Sequence, residues 1–89
     1  MLKNVDYQTV QRELHAKRRF RLPDWPTGEF IFLVPSSTFA VSREPLLSIL
    51  GEGTMIHYSA HVDRYYGGGV IGTYHVQDIE WMSDAWEEI

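Results

Sequence analysis

The sequence predicts an α+β fold: an N-terminal helix packed on a small twisted antiparallel β-sheet, with short helices near residues 45–49 and 78–82. Three observations carry this. Residues 6–17 place apolar side chains at helical spacing, residues 30–34 are continuously apolar, and residues 54–63 alternate with a period of two. Between them stand Pro- and Gly-rich turns and no long linker, so residues 1–89 read as one domain.

The first helix is expected from near Asp6 to Lys17. Asp6 is suited to the N-cap, Val10 and Leu14 share a face, and Lys17 and Arg18 suit the negative C-terminal end. Its apolar stripe is narrow, which suits an outer layer lying on a sheet. Residues 19–22 alternate polar and apolar as a short strand, and Pro23, Pro26 and Gly28 make the next stretch a loop. The strand over residues 29–34 turns Phe30, Phe32 and Val34 to one face and Ile31 and Leu33 to the other. Both faces are apolar, so both need cover: the helix serves one, and a second subunit is a natural cover for the other.

Pro35 ends that strand, and residues 39–42 form the next. Pro45 sits well at the first position of a short helix that Gly51 stops. Residues 54–63 alternate as one strand, with Ile56, Tyr58, Ala60 and Val62 on one side and His57, Ser59, His61 and Asp63 on the other. Residues 65–69 turn the chain, residues 70–76 return, and a turn of helix precedes a last short strand around residues 84–89.

Composition narrows the function classes. A chain of 89 residues with 44% hydrophobic content can fold, but its core is thin. It has no Cys, so neither disulfides nor thiolate metal sites reinforce it, and self-association is the expected extra support. An aromatic content of 13% points the same way. The net charge of -4 disfavours a duplex-binding module. Lys3, Arg12, Lys17, Arg18, Arg19 and Arg21 crowd the first part of the chain, whereas Asp78, Glu80, Asp84, Glu87 and Glu88 crowd the tail. These ends either face each other, within a subunit or across a dimer, or leave a local anion site near Arg19 and Arg21. The longest apolar run, residues 30–34, is too short to span a bilayer, and no signal peptide is read at the start, so a soluble intracellular protein is expected.

No catalytic residue and no metal-ligand set is assigned. His57 and His61 on one strand lie roughly 13 Å apart, too far to share an ion, and His61 with Asp63 makes only two ligands. That pair better serves a ligand hydroxyl or a subunit contact. Ser36, Ser37 and Ser59 lack a GxSxG elbow, and the glycine clusters at 51–53 and 67–69 lack the residues of a phosphate loop. Trp25, held between prolines near Arg19 and Arg21, is either a plug over the core or a platform for a planar ring. Arg43, just before Pro45, either pairs with Glu44 or Glu29 or offers its guanidinium, with the helix amides, to an anion. Trp81 and Trp86 read as core or interface plugs. Two rival classes stay open: an enzyme, a phosphodiesterase or glycohydrolase built around His61 and Asp63, and a protein-interaction or single-strand nucleic-acid module using Trp25, Tyr65 and Tyr66 with the basic N-terminal segment.

Arg21, Trp25-Pro-Thr-Gly28, Leu33-Val-Pro35, Ser37-Thr-Phe39, Val41-Ser-Arg-Glu-Pro-Leu-Leu47, Glu52-Gly-Thr54, Tyr58 and His61-Val-Asp63 follow one another in an order that covers most of the chain. In this the chain resembles a family of small phage proteins, some of which form the second class of Thoeris anti-defence proteins. Ser42 stands where the family pattern has Asn, Tyr74 and Glu80 where it has Trp and Asp, and Ala85-Trp86 where it closes on Asp-Trp. The resemblance implies a non-enzymatic sponge that sequesters a cyclic ADP-ribose isomer, the immune signal of bacterial TIR enzymes, in the cytoplasm of the infected host. It implies Trp25 and Phe39 for the base, Arg21 and Arg43 for the phosphates, and Asp63 or Ser42 for a ribose hydroxyl, with Ser42 and Tyr74 at pocket positions. It further implies a homo-oligomer, dimer or tetramer, with no cofactor, and extends to cyclic dinucleotides as a second ligand class.

Overall fold

Asp6 starts the first helix through its own side chain. The computed structural model describes residues 1–89, and α1 spans Tyr7–Leu14, with the Asp6 carboxylate accepting from the Thr9 amide at 2.8 Å. Hydrogen bonding from Thr9, its side chain first and then its amide, holds the Asp6 carboxyl below the ordinary carboxylate range. Tyr7, Val10 and Leu14 are the buried stripe, each aliphatic member worth about 1.5–3 kcal/mol of apolar burial. The helix stops short of residue 17. Ala16 and Lys17 donate back to Glu13 and Leu14, and Lys17 takes a left-handed φ of 65° that no helix continues.

The remaining elements are β1 (Phe20–Arg21), β2 (Phe30–Val34), β3 (Ser37–Ala40), α2 (Leu46–Leu50), β4 (Met55–Tyr58), β5 (His61–Gly67), β6 (Val70–Thr73), α3 (Asp78–Trp81) and β7 (Glu87–Glu88). Five strands form an antiparallel sheet in the order β6-β5-β2-β1-β7, and β3 and β4 form a separate ribbon. The α+β class and the helix-on-sheet layering expected from the sequence are both present.

One expected strand is in fact two. Residues 54–63 divide into β4 and β5, in different sheets, with Ser59 and Ala60 unpaired between them. The cause lies on the opposite strand. Val34 faces His61 and Ser37 faces Tyr58, so Pro35 and Ser36 stand across from Ser59 and Ala60 without changing the register. Pro35 has no amide to donate, and a long hairpin breaks there into a sheet and a ribbon. His57 and His61 therefore belong to different sheets. Tyr65 and Tyr66, expected in a turn, lie inside β5, and the turn itself tightens to Gly68 and Gly69 at φ 61° and 80°.

The ribbon and α2 make an arm. Molecular extents of 46 × 26 × 24 Å and a radius of gyration of 15.9 Å exceed the roughly 12 Å of a compact chain this long. Within residues 35–60 only Val41 is buried, and it stands outside the nine-residue core. Pro45 caps α2, and Gly51 ends it at φ 89°.

The core is largely aromatic. Trp86 is fully buried, with ring centroids 5.3 Å from Tyr7 and 5.4 Å from Trp25, and its indole Nε1 donates to the Glu80 carbonyl at 3.1 Å. The basic and acidic ends meet within the subunit where β1 borders β7: Arg21 reaches Glu87 at 2.8 Å and Arg18 reaches Glu88 at 3.5 Å. On β2, Ile31 faces the core, whereas Phe30 and Phe32 share the other face with Tyr65 and Ile71, above a hollow of about 410 Å³. No helix is long and apolar enough to cross a membrane.

Candidate functional site

On the arm, β3 and β4 pair with Phe39 opposite Ile56, which sets Tyr58 diagonally across on the same face. The two rings stack, centroids 5.6 Å apart and planes 14° apart. Beyond β3 the chain crosses over through Val41, whose amide donates to Thr54 O at 2.8 Å and whose carbonyl accepts from Gly53 at 2.9 Å. Those bonds hold Ser42, Arg43 and Pro45 in a wall beside the rings. Together these residues enclose a concavity of about 510 Å³, within the ~300–1,000 Å³ range of small-molecule sites.

Arg43 is exposed and makes neither a salt bridge nor a side-chain hydrogen bond. Both carboxylates named as its partners in the sequence, Glu29 and Glu44, are engaged elsewhere. Glu29 accepts two bonds from Arg64, at 2.8 and 3.2 Å, and Glu44 accepts from the Ser48 hydroxyl. The concavity thus joins an aromatic pair, an uncommitted guanidinium and the Ser42 hydroxyl. Its helix, α2, is five residues long and adds little dipole.

Of the seven residues singled out in the sequence, Phe39, Ser42 and Arg43 meet here. The other four stand elsewhere. Trp25 is a plug and not an open platform: the Arg64 guanidinium lies 3.6 Å from its ring centroid, and Tyr74 and Trp86 pack against its edges. Arg21 is committed to Glu87 and to the Trp25 carbonyl, so it clamps the Trp25 loop to β1. Tyr74 is buried and donates to Glu80 at 2.7 Å. Asp63 stands on the open face of the five-stranded sheet, 3.3 Å from His61 Nε2. No three His, Cys, Asp or Glu side chains lie close enough together to hold a metal ion.

Two residues escaped sequence reasoning. Tyr58 fits an alternating strand and the family pattern and carries no site role in the sequence, although its register with Phe39 makes it half of the aromatic pair. Arg64 carried no local signal, because its partners Glu29 and Trp25 come from a distant loop.

Tyr74 makes stability depend on alkaline pH. Burial, and then the Glu80 carboxylate, push its phenol pKa far above the ordinary value, and burial raises Tyr7 as well. The folded protein keeps these protons where the unfolded chain loses them. Their contribution is therefore complete below about pH 10 and is lost as pH rises beyond it. Thermal melts should show a midpoint that falls steadily above about pH 10, with a shallower fall in Tyr74→Phe.

No protein-family model matches the sequence, and no curated protein matches it.

Proposed function

We propose that this protein binds and sequesters a cyclic ADP-ribose isomer without cleaving it. The observation that carries the reading is the arm concavity, where a stacked Phe39–Tyr58 pair adjoins an Arg43 free of any protein partner. A cyclic ADP-ribose isomer presents a planar base, a pyrophosphate and ribose hydroxyls. The rings suit the base by stacking, Arg43 suits a phosphate through charge-assisted hydrogen bonds, and the Ser42 hydroxyl suits a ribose. The resemblance of residues 33–63 to the Thoeris anti-defence proteins supports the same ligand.

Binding is favoured over hydrolysis because the concavity holds no carboxylate other than Glu44, no histidine and no nucleophile with a base. On this reading the protein acts in the cytoplasm of an infected bacterial host and depletes the signal of TIR enzymes. It acts as a homo-oligomer, a dimer or tetramer, since a two-stranded ribbon is marginal by itself. Calorimetric titration with the product of an active TIR enzyme tests the reading. Saturable binding with a fixed ratio of ligand to protomer is expected, and no heat of binding at micromolar protein contradicts it.

A further inference from the structure

The face of the five-stranded sheet opposite α1 is apolar at its centre and charged at both ends. Phe30 faces Tyr65 across β2 and β5, Tyr65 faces Ile71 across β5 and β6, and Phe32 is next along β2. Ile71 is 55% exposed. At one end Arg19 lies over the Phe30 ring at 5.0 Å, beside Lys17 and Arg18, and neither Arg19 nor Lys17 has an ion-pair partner. Toward the other end, Asp63 faces Phe32 and touches only His61 among charged or titratable groups.

We infer that two copies of this chain pack through this face about a two-fold axis, with Arg19 of each copy meeting the partner's Asp63. A face with a cation toward one end and a carboxylate toward the other complements itself when turned over, which is the requirement of an isologous contact. Aligned sheet packing brings two such faces about 10 Å apart, with their side chains interdigitated. Burial favours it too. Only 10 of 89 residues are buried in one copy, and the second face of β2 holds three half-buried rings, Phe30, Phe32 and Tyr65, beside the exposed Ile71. An anionic membrane is a poorer occupant, because the chain carries a net charge of -4. The inference rests on the self-association proposed above and not on any ligand.

Light scattering after size exclusion of the full chain, without ligand and at micromolar concentration, should give two or four times 10.4 kDa. Phe32→Glu should halve that mass, or weaken association at least about ten-fold. Arg19→Glu and Asp63→Lys should each weaken it, and the double variant should recover it. That recovery is the decisive readout, because a merely misfolded single variant would not be rescued. An oligomer unchanged by all three single substitutions overturns this surface but leaves self-association standing. Failure of the double variant to recover overturns the Arg19–Asp63 contact. A parent chain that runs as a monomer overturns both self-association and this surface. A monomer that sediments with vesicles of anionic phospholipid overturns them in favour of a lipid occupant.

Discussion

Trp25→Ala should cost about 3–5 kcal/mol of folding stability, the range for truncating a buried Trp. The ring is 8% exposed and touches Tyr74, Trp86 and the Arg64 guanidinium, so its loss opens a void among aromatic rings. It also strips Arg64 of the surface it lies on, leaving the Glu29 pair less well supported. A domain of this length holds only about 4–13 kcal/mol in total. The melting midpoint should therefore drop by at least about 12 °C at matched protein concentration, or the variant should fail to fold. A variant that melted within about 3 °C of the parent yet lost ligand would restore the ring to the role of a binding platform.

Arg43→Ala should do the reverse. The side chain is exposed and bonded to nothing in the protein, so its removal leaves folding within the usual narrow range of surface substitutions. Losing a charge-assisted contact to a phosphate costs about 1.5–3 kcal/mol, or roughly ten-fold to more than a hundred-fold in Kd. Phe39→Ala removes one stacked ring and should cost about 1–3 kcal/mol of binding. Raising the salt concentration should weaken the parent more than Arg43→Ala, because one screened charge is missing from the variant. Titrations of the three proteins, paired with their melts, check all of this. Unchanged affinity in both variants would remove the ligand from the arm.

The contrast between Trp25 and Arg43 shows what kind of information a single sequence carries here. Local signals were readable: Asp6 as a cap, Pro45 before a helix, Gly51 after it, and the two-faced apolar pattern of β2. Each depends on residues within a few positions of one another. Arg43 admitted two local readings, a pair with Glu44 or Glu29 and an anion contact, and both carboxylates are engaged elsewhere. Trp25 was not settled locally, because what decides between plug and platform is whether something covers the ring, and the cover is Arg64, brought there by the pairing of β2 with β5. For Arg21 two readings were open, an anion site or a pairing with the acidic tail, and it is Glu87 from the far end of the chain that it meets. The break at Ser59 and Ala60 was equally hidden. It originates in Pro35 on the opposite strand, and nothing in residues 54–63 announces it.

Sequestration differs from catalysis in one conserved quantity, the chemical integrity of the ligand. The proposed pocket offers the stacking, the cation and the hydroxyl partners that binding calls for, and its one carboxylate, Glu44, is engaged by Ser48. The most direct test incubates the protein with the cyclic ADP-ribose isomer, removes unbound ligand, denatures the complex by heat and resolves the released small molecules by chromatography. The account predicts that the isomer returns intact, in a fixed ratio to protomer, and still activates its effector. Linear ADP-ribose recovered in excess over protein would mean turnover and would contradict it.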